Sequence, residues 1–322
     1  MQVIECYDLP ESPDPDAAYR LLPKHADEAY YRERTDRNIG WITREEQKIL
    51  RGSVIGIAGC GGMGGLLASL FVRAGVGEVR IADNERFDVS NINRQFAAQR
   101  GTVGSSKAFE TARLTRAVSD DSTLMVYANG ITEATARTFV SGCDIICDEI
   151  ELLAVDGRIL LHREARNSGV SLFNCNTVGF GTNLFLYTPE SLTMEDALGF
   201  GYEEARRLSS LACAGNEIAH DRIMRSILRA VIPELPEYGP QDAEGRHPFL
   251  RRLAQEKKAP IIATNPPLAA GFLADRVLLY LLRDSGVARD IVPVPSMPGY
   301  LHLDAALMRA TVKKEGWNPS CP

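Results

Sequence analysis

The chain has 322 residues, 45% of them hydrophobic, and a formal net charge of −6 at pH 7. This length and apolar content suffice for one large α/β domain or two small ones without cross-links, while the acidic balance argues against a DNA-binding protein. The seven cysteines are scattered and form no C-x-x-C pair, so we expect a cytoplasmic protein without a structural zinc.

Residues 1–30 have the composition of an arm rather than of a core. The run DLPESPDPDA is rich in proline and acidic residues, which predicts a mostly solvated segment with one short strand near residues 2–6. An appended piece of this kind could instead form a small peptide clamp. Residues 31–50 are predicted to be helical in part.

From Val54 onward, apolar strands alternate with helical stretches. The predicted strands lie at 54–58, 78–82, 123–128, 144–147 and 170–174. The predicted helices lie at 63–75, 105–118, 132–140 and 152–168. This alternation indicates a Rossmann-like, mostly parallel sheet with helices on both faces. Right-handed crossovers then bring the loops that follow the strands to one edge of the sheet, where ligands bind.

The pattern changes after Asn176. Antiparallel strands and a helical insertion are predicted to continue the sheet, with an antiparallel strand at 178–187, helices across 190–258, a strand at 261–263, a helix at 268–283 and a last strand at 299–303. The longest apolar helix candidate contains charged residues and is too short to span a bilayer, so we expect no membrane partner.

A glycine loop follows the first strand of the alternating region. Its glycines are Gly59, Gly61, Gly62 and Gly64. Glycines between a strand and a helix let backbone N–H groups approach phosphates, and the helix N-terminus adds partial positive charge. Asp83 ends the second strand, where a carboxylate can accept hydrogen bonds from ribose hydroxyls. These features predict a nucleotide site, but they do not separate ATP from NAD.

Three further side chains favour a triphosphate. Asn91 supplies an amide, Arg94 a guanidinium and Lys107 an ammonium at the start of a predicted helix. Three phosphates carry dense negative charge, which must be neutralised when the α-phosphorus is attacked. A hydride-transfer enzyme does not need these groups. Lys107 taken alone would instead be interpreted as a solvated surface residue.

The order and spacing of these motifs resemble the ThiF/MoeB/E1-like superfamily, whose members adenylate carboxylates. The resemblance covers roughly residues 31–180. It is carried by Arg37-Asn38-Ile39, VIGIAGCGGMGG, AGVGEVRIADNERFDVSNINRQF and TVGSSK.

The resemblance implies a role for each matching residue. Asp83 would hold the ribose of ATP, and Asn91, Arg94 and Lys107 would contact the phosphates. Gln95 ends the same motif and is counted with the nucleotide-binding residues.

The resemblance also implies an assembly and a domain plan. Arg37 would reach the active site of a second subunit, so a homodimer is expected. Residues 31–180 would form the ATP-binding adenylation core. Residues 181–322, helical over 190–258, would form the substrate-side part of the same domain, and residues 1–30 the arm or clamp.

One departure from the family pattern concerns magnesium. Relatives have an Asp followed by Asn beyond the fourth strand, and the Asp binds the metal. Register from Asp144 puts Glu151 at that Asp and Leu152 at the Asn, with Asp148 nearby. We therefore expect Mg²⁺ at Glu151 or Asp148. Two other interpretations stay open, a non-catalytic relative and an acidic helix N-terminus.

The second departure concerns cysteine. The paired zinc cysteines of many relatives are absent from the sequence. Cys213 lies in the region where some relatives carry a thioester-forming cysteine, but its neighbours predict an apolar helix instead. The chain thus resembles the thioester-independent relatives.

These observations predict an ATP-dependent adenylyltransferase that activates a carboxylate as acyl-AMP. The expected substrate is a ribosomally made peptide, as in peptide modification and peptide natural product biosynthesis. A ubiquitin-like protein C-terminus and a tRNA-borne carboxylate are alternative substrates. A non-catalytic E1-like partner subunit and an NAD/FAD oxidoreductase are alternative functions.

Overall fold

The structure, a computed structural model, describes residues 1–314 except 26, 234, 237, 240–248, 250, 251, 254, 255 and 257. The described strands are β1 (Val3–Cys6), β2 (Ala18–Leu21), β3 (Val54–Ala58), β4 (Glu78–Ala82), β5 (Thr123–Tyr127), β6 (Ile145–Asp148), β7 (Ser171–Val178), β8 (Gly181–Tyr187), β9 (Tyr300–Asp304) and β10 (Arg309–Lys313).

Helices connect and cover these strands. Those in the described part of the chain are α1 (Glu28–Thr35), α2 (Arg44–Gly52), α3 (Gly64–Ala74), α4 (Lys107–Val118), α5 (Ala136–Val140), α6 (Val155–Asn167), α7 (Met194–Leu198), α8 (Tyr202–Cys213), α9 (Glu217–Val231) and α10 (Asn265–Leu281), with 3₁₀ turns at Asp36–Asn38, Val89–Asn93 and Arg100–Thr102.

The strands form one sheet in the order β1-β2-β5-β4-β3-β6-β7-β8-β9-β10. The five strands from β5 to β7 are all parallel, whereas β8, β9 and β10 add antiparallel pairs. The Rossmann-like sheet continued by antiparallel strands is therefore confirmed. Its carboxyl-terminal edge runs through Ala82, Ala58 and Asp148, which lie in register on β4, β3 and β6.

Each face of the sheet has its own core. Ile146, Phe185 and neighbouring side chains pack against α5 to α9, while Ile57, Phe173 and their neighbours pack against α3, α4 and α10. Consecutive residues of a strand point to opposite faces, so near-continuous apolar strands serve both cores. The residues on either face of the central strands are almost fully buried.

The solvated tail expected at the N-terminus is wrong for residues 17–21. Strand β2 pairs antiparallel with β5, with Ala18 opposite Tyr127, and β1 pairs parallel with β2. Ala18 and Tyr19 are buried. Four residues were too short a run to indicate a strand by alternation, and only the neighbouring β5 shows that they are covered. A separate clamp role for residues 1–30 stays a prediction.

Two elements near the C-terminus also differ from expectation. No strand forms at 261–263 in the structure. Instead α10 begins at Asn265, three residues before the predicted start, because Pro266 and Pro267 occupy its first turn, where a missing N–H costs nothing. The predicted strand at 299–303 is present as β9, but β10 follows it. That strand is largely exposed, so it lacks the apolar alternation that would have predicted it.

The helical insertion is confirmed over α7, α8 and α9. Part of the predicted range 190–258 lies outside the described residues. Of the helices in the described part of the chain, none combines the length and apolar character needed to cross a membrane.

Candidate functional site

The glycine loop between β3 and α3 has no room for side chains at two of its positions. Gly59 adopts a φ of 102°, and a Cβ atom there would overlap the carbonyl oxygen of Glu149. A Cβ on Gly64 would overlap the carbonyl oxygen of Gly59. Gly61 and Gly62 continue the loop, and α3 begins without a side-chain cap from the described residues. The uncapped N-terminus is the kind of site that binds a phosphate.

Asp83 ties this loop to the next strand. Its Oδ2 accepts a hydrogen bond from the Cys60 N–H at 2.6 Å, and its Oδ1 accepts from the Glu85 N–H at 2.7 Å. Burial raises the pKa of Asp83, although these two donors oppose the shift. A carboxylate has about four acceptor positions, so Asp83 can still accept from a ligand hydroxyl.

The 3₁₀ turn at Val89–Asn93 presents the predicted phosphate ligands. The Asn91 side-chain oxygen accepts from the Asp88 N–H at 3.1 Å, and Asp88 caps the Asn91 N–H in return. Arg94 donates to the Ser90 carbonyl at 3.0 Å and to Asn93 Oδ1 at 2.9 Å. Burial lowers the pKa of the Arg94 guanidinium, while Asp88 and Glu85 counter this.

The same turn packs on the glycine loop. A Cβ on Gly62 would lie 3.3 Å from the Arg94 carbonyl oxygen, and one on Gly61 would lie 3.7 Å from Gln95 Nε2. Gln95 is buried, and its Oε1 has no hydrogen-bond partner among the described residues. A buried amide with an unmet acceptor beside a bare loop is consistent with a ligand contact there.

Lys107 is the first residue of α4 and is almost fully buried. Its Nζ donates to Glu85 Oε2 at 2.6 Å. The solvated lysine that the sequence alone would suggest is therefore not what the structure shows. Glu85 was missed by sequence reasoning, although its position two residues after Asp83 was a usable signal.

Arg37 lies apart from this group on the chain. It is exposed in the turn at Asp36–Asn38 and has no hydrogen bond or ion pair within the part of the chain that the structure describes. Its contribution to a second subunit stays a prediction.

The two predicted magnesium ligands have different surroundings. Asp148 is fully buried, with its Oδ2 3.0 Å from both Arg158 Nε and His162 Nε2. Burial alone would raise the pKa of Asp148, but Arg158 and His162 outweigh it and hold that pKa below its ordinary value. The other oxygen accepts from the Ile150 N–H at 3.1 Å. Both carboxylate oxygens of Asp148 are thus engaged by protein groups.

Glu151 is exposed, and its Oε2 accepts from the Leu153 N–H at 2.6 Å. Within the described ranges, no cluster of three or more His, Cys, Asp or Glu side chains could hold a metal by itself. Magnesium usually takes only one or two carboxylates and completes its shell with phosphates and water. Glu151 fits that requirement, whereas Asp148 is fully buried against Arg158 and His162, away from any hydrated ion.

Arg158 and His162 were not predicted as part of this region. They are four residues apart on α6, so they lie on one face of the helix, and that face meets Asp148. The spacing was visible in the sequence, but the partner was not. The Arg158 guanidinium also donates to the Ile150 carbonyl, which fixes the turn that leads to Glu151.

Two open cavities beyond the strand ends share Glu85 as a lining residue. One, of about 600 Å³, is lined by Asn84, Glu85, Asn129 and neighbouring residues. The other, of about 1010 Å³, is lined by Glu85, Glu151 and the face of α8 that ends at the exposed Cys213. Glu85 lines both. Cys213 ends a helix, as its neighbours predicted.

The fold and the loop define a Rossmann-like α/β protein with a ligand crevice at the strand ends. The model of the ThiF family matches residues 35–322, so the chain belongs to the ThiF family. The resemblance to the wider ThiF/MoeB/E1-like superfamily is thereby confirmed.

Curated relatives match over shorter stretches. The adenylyltransferase and sulfurtransferase MOCS3 of Sus scrofa is 35% identical over 92 residues, which is 29% of this chain and 20% of that protein. The tRNA threonylcarbamoyladenosine dehydratase of Bacillus subtilis is 28% identical over 120 residues, 35% of this chain and 47% of that protein. The chain thus spans less than half the length of either relative.

Solved structures share the fold over nearly the whole chain. MccB of E. coli with ATP has a TM-score of 0.59 at 15% identity, covering 93% of this chain and 76% of MccB. PaaA has a TM-score of 0.58 at 15% identity, covering 92% of this chain and 76% of PaaA. At this identity the likeness shows the fold alone.

Proposed function

We propose that this chain is an ATP-dependent adenylyltransferase that activates a carboxylate as acyl-AMP. One observation carries the proposal, namely that the segment bearing Arg94 and Gln95 packs directly on the glycine loop. On the other side of that loop, Asp83 binds the Cys60 N–H, and Glu85 links Asp83 to Lys107. Hydrogen bonds thus join Asp83, proposed for the ribose, through Glu85 to Lys107, proposed for the phosphates.

The proposed reaction needs little covalent chemistry from the protein. A substrate carboxylate oxygen attacks the α-phosphorus of ATP, the bond between the α-phosphorus and the bridging oxygen breaks, and pyrophosphate leaves. Arg94 and Lys107 would neutralise the charge that develops on the phosphates, and the bare loop would donate backbone N–H groups. Positioning and charge compensation would account for most of the rate enhancement.

Magnesium belongs to the same proposal. Glu151 would hold the ion, which supplies further neutralisation of the phosphate charge when bound. Asp148 is kept in the proposal only as support for the turn that carries Glu151, because it is fully buried against Arg158 and His162.

The proposed substrate is a peptide, and the proposed assembly is a homodimer. MccB, whose structures hold ATP in one case and N-formylated MccA in another, shares the fold over 86–93% of this chain. MccB is a microcin C7 biosynthetic enzyme, and its complexes with forms of MccA support the proposal of a peptide substrate here. A second copy of the chain would bring Arg37 to the crevice. Cys213, exposed on the larger cavity, has no role in the proposed reaction.

Calorimetric titration with ATP and with NAD⁺ tests the class of ligand. We expect saturable binding of ATP with magnesium and no saturable binding of NAD⁺, because the groups beside the loop are directed at phosphates rather than at a nicotinamide.

Pyrophosphate release on adding peptides encoded beside its gene then tests the reaction, with the mass of each peptide as the second readout.

Saturable NAD⁺ binding without ATP binding would favour an oxidoreductase instead. ATP binding without pyrophosphate release from any such peptide would contradict the peptide substrate. The same result with carboxylates of other kinds would favour a non-catalytic partner subunit.

A further inference from the structure

Glu85 lies between the group proposed for the ribose and the group proposed for the phosphates. Its backbone N–H donates to Asp83 Oδ1 at 2.7 Å, and its carbonyl oxygen accepts from the Lys107 N–H at 2.9 Å. These two bonds fix the backbone of Glu85 just beyond β4. The side chain of Glu85 therefore extends from a backbone position that is fixed beside the crevice.

The side chain of Glu85 is the counter-charge of Lys107. The Nζ to Oε2 distance is 2.6 Å, with 7% of the Lys107 side chain exposed and 48% of the Glu85 side chain exposed. An ammonium buried to this degree is costly without an anion beside it. A charge-assisted hydrogen bond of this length is of the strong kind. Glu85 thus occupies the place on Lys107 that a phosphate is proposed to take.

The difference in exposure shows which partner can move. Glu85 lines both cavities, so its carboxylate has open space on two sides. Lys107 begins α4 and is enclosed, so its ammonium has less room to move than the Glu85 carboxylate has. Burial lowers the pKa of the Arg94 guanidinium, and the nearby charge of Glu85 opposes this lowering. One carboxylate therefore serves both proposed phosphate ligands.

We propose that Glu85 is a positioning residue that holds Lys107 in the nucleotide-free protein and releases it to the triphosphate when ATP binds. This inference rests on the proposed function, since it takes Lys107 as a phosphate ligand. The exchange forms and breaks no covalent bond; a carboxylate contact of the ammonium is replaced by a phosphate contact. Glu85 competes with the nucleotide for Lys107, so removing its charge should strengthen the binding of nucleotides that reach Lys107.

Titration calorimetry with ATP, ADP and AMP on E85Q tests this competition. We expect ATP to bind about tenfold more tightly to E85Q than to the wild type, since one hydrogen bond to a charged group no longer has to be broken. AMP, which lacks the β- and γ-phosphates, should change by less than about twofold. Glu45→Gln is the matched control, because Glu45 forms an exposed pair with Lys48 on α2.

A double-mutant cycle separates a contact with Lys107 from a general effect of charge. In the K107A background, E85Q should leave the ATP affinity unchanged. An equal gain in both backgrounds would overturn the role of Glu85, as would weaker ATP binding in E85Q. Glu85→Asp, which keeps the charge but shortens the reach, should give an intermediate affinity and guards against a folding defect in the first variant.

The two proposals fail in different ways. Wild-type protein that does not bind ATP overturns the proposed function and the role of Glu85 with it. Wild-type protein that binds ATP, combined with an E85Q effect that persists without Lys107, overturns the role of Glu85 alone.

Discussion

Two buried aspartates, at the ends of β4 and β6, flank the glycine loop and have opposite electrostatic settings. Asp83 accepts from backbone N–H groups and its pKa is raised by burial. Asp148 lies against Arg158 and His162, which hold its pKa below the ordinary value in spite of burial. A carboxylate satisfied by neutral donors has capacity left for a ligand, whereas one neutralised by buried cations is already committed to the protein.

The same contrast extends to the residues around each aspartate. Near Asp83, the charged side chains have partners that can be exchanged, since Glu85 is half-exposed beside two cavities. Near Asp148, Arg158 is 1% exposed and is held by two separate contacts. The first region is the one proposed for binding, and the second supports the turn that carries Glu151.

Arg158→Ala should have the largest effect on stability. It leaves Asp148 buried without its guanidinium partner, and breaking a buried pair from one side costs about 3–5 kcal/mol. Arg163→Ala is the control, because Arg163 pairs with Glu195 at the surface and its loss should cost less than about 1 kcal/mol. Urea unfolding followed by circular dichroism measures both. Equal losses in the two variants would remove the distinction between the regions.

Lys107→Ala and Arg94→Ala should act on the reaction rather than on the fold. Each removes one cation from the phosphates, so we expect pyrophosphate release to fall by about 10²–10³-fold. Lys48→Ala, at an exposed lysine on α2, is the control and should leave the rate unchanged. Steady-state assays with thermal melts separate the two effects. A rate that stays normal in both variants would contradict the assignment of this segment to ATP.

The smallest of the three expected effects is a change in how the free energy of unfolding depends on pH. The folded-state pKa of Asp148 is depressed, so its ionised form stabilises the protein above the ordinary value of about 4, and that stability is lost as the pH falls below it. Asp148→Asn should therefore be less stable than the wild type at pH 7 and should lose less stability between pH 5 and pH 3. Parallel pH profiles for the two proteins, from urea unfolding at each pH, would argue against this coupling.

The predicted strands agree best with the structure where apolar residues continue along most of the strand. Four of the five central strands fall within one residue of their predicted bounds, because each is apolar over most of its length, whereas β7 continues to Val178, four residues beyond its predicted end. Of the short or exposed strands, β1 was predicted near residues 2–6 and is present, whereas β2 and β10 were not predicted. Ala18–Leu21 is too short for a pattern, and Arg309–Lys313 lies at the sheet edge with little apolar alternation.

The candidate site likewise contains residues that the local sequence pattern predicted and residues whose surroundings it did not predict. Asp83, Arg94 and Gln95 lie in one motif and Gly59 in the motif before it, so their position at the strand ends followed from the order of strands and helices. The metal prediction depended on register alone. It placed Glu151 and Asp148 together, and only the packing of α6 shows that Asp148 is turned inward.

By itself, the sequence determined the alternation of strands and helices and the bare loop after β3, and it supplied the residues that are proposed to contact a triphosphate. Those features depend on the order of apolar, glycine and charged residues within a single segment. The tertiary structure decided which charges neutralise each other. Lys107 contacts Glu85, and Arg158 contacts Asp148, only when α4 and α6 pack beside the strand ends. The energy of a charge pair depends on the distance between the charges and on their burial. A single segment of the sequence determines neither of these two quantities.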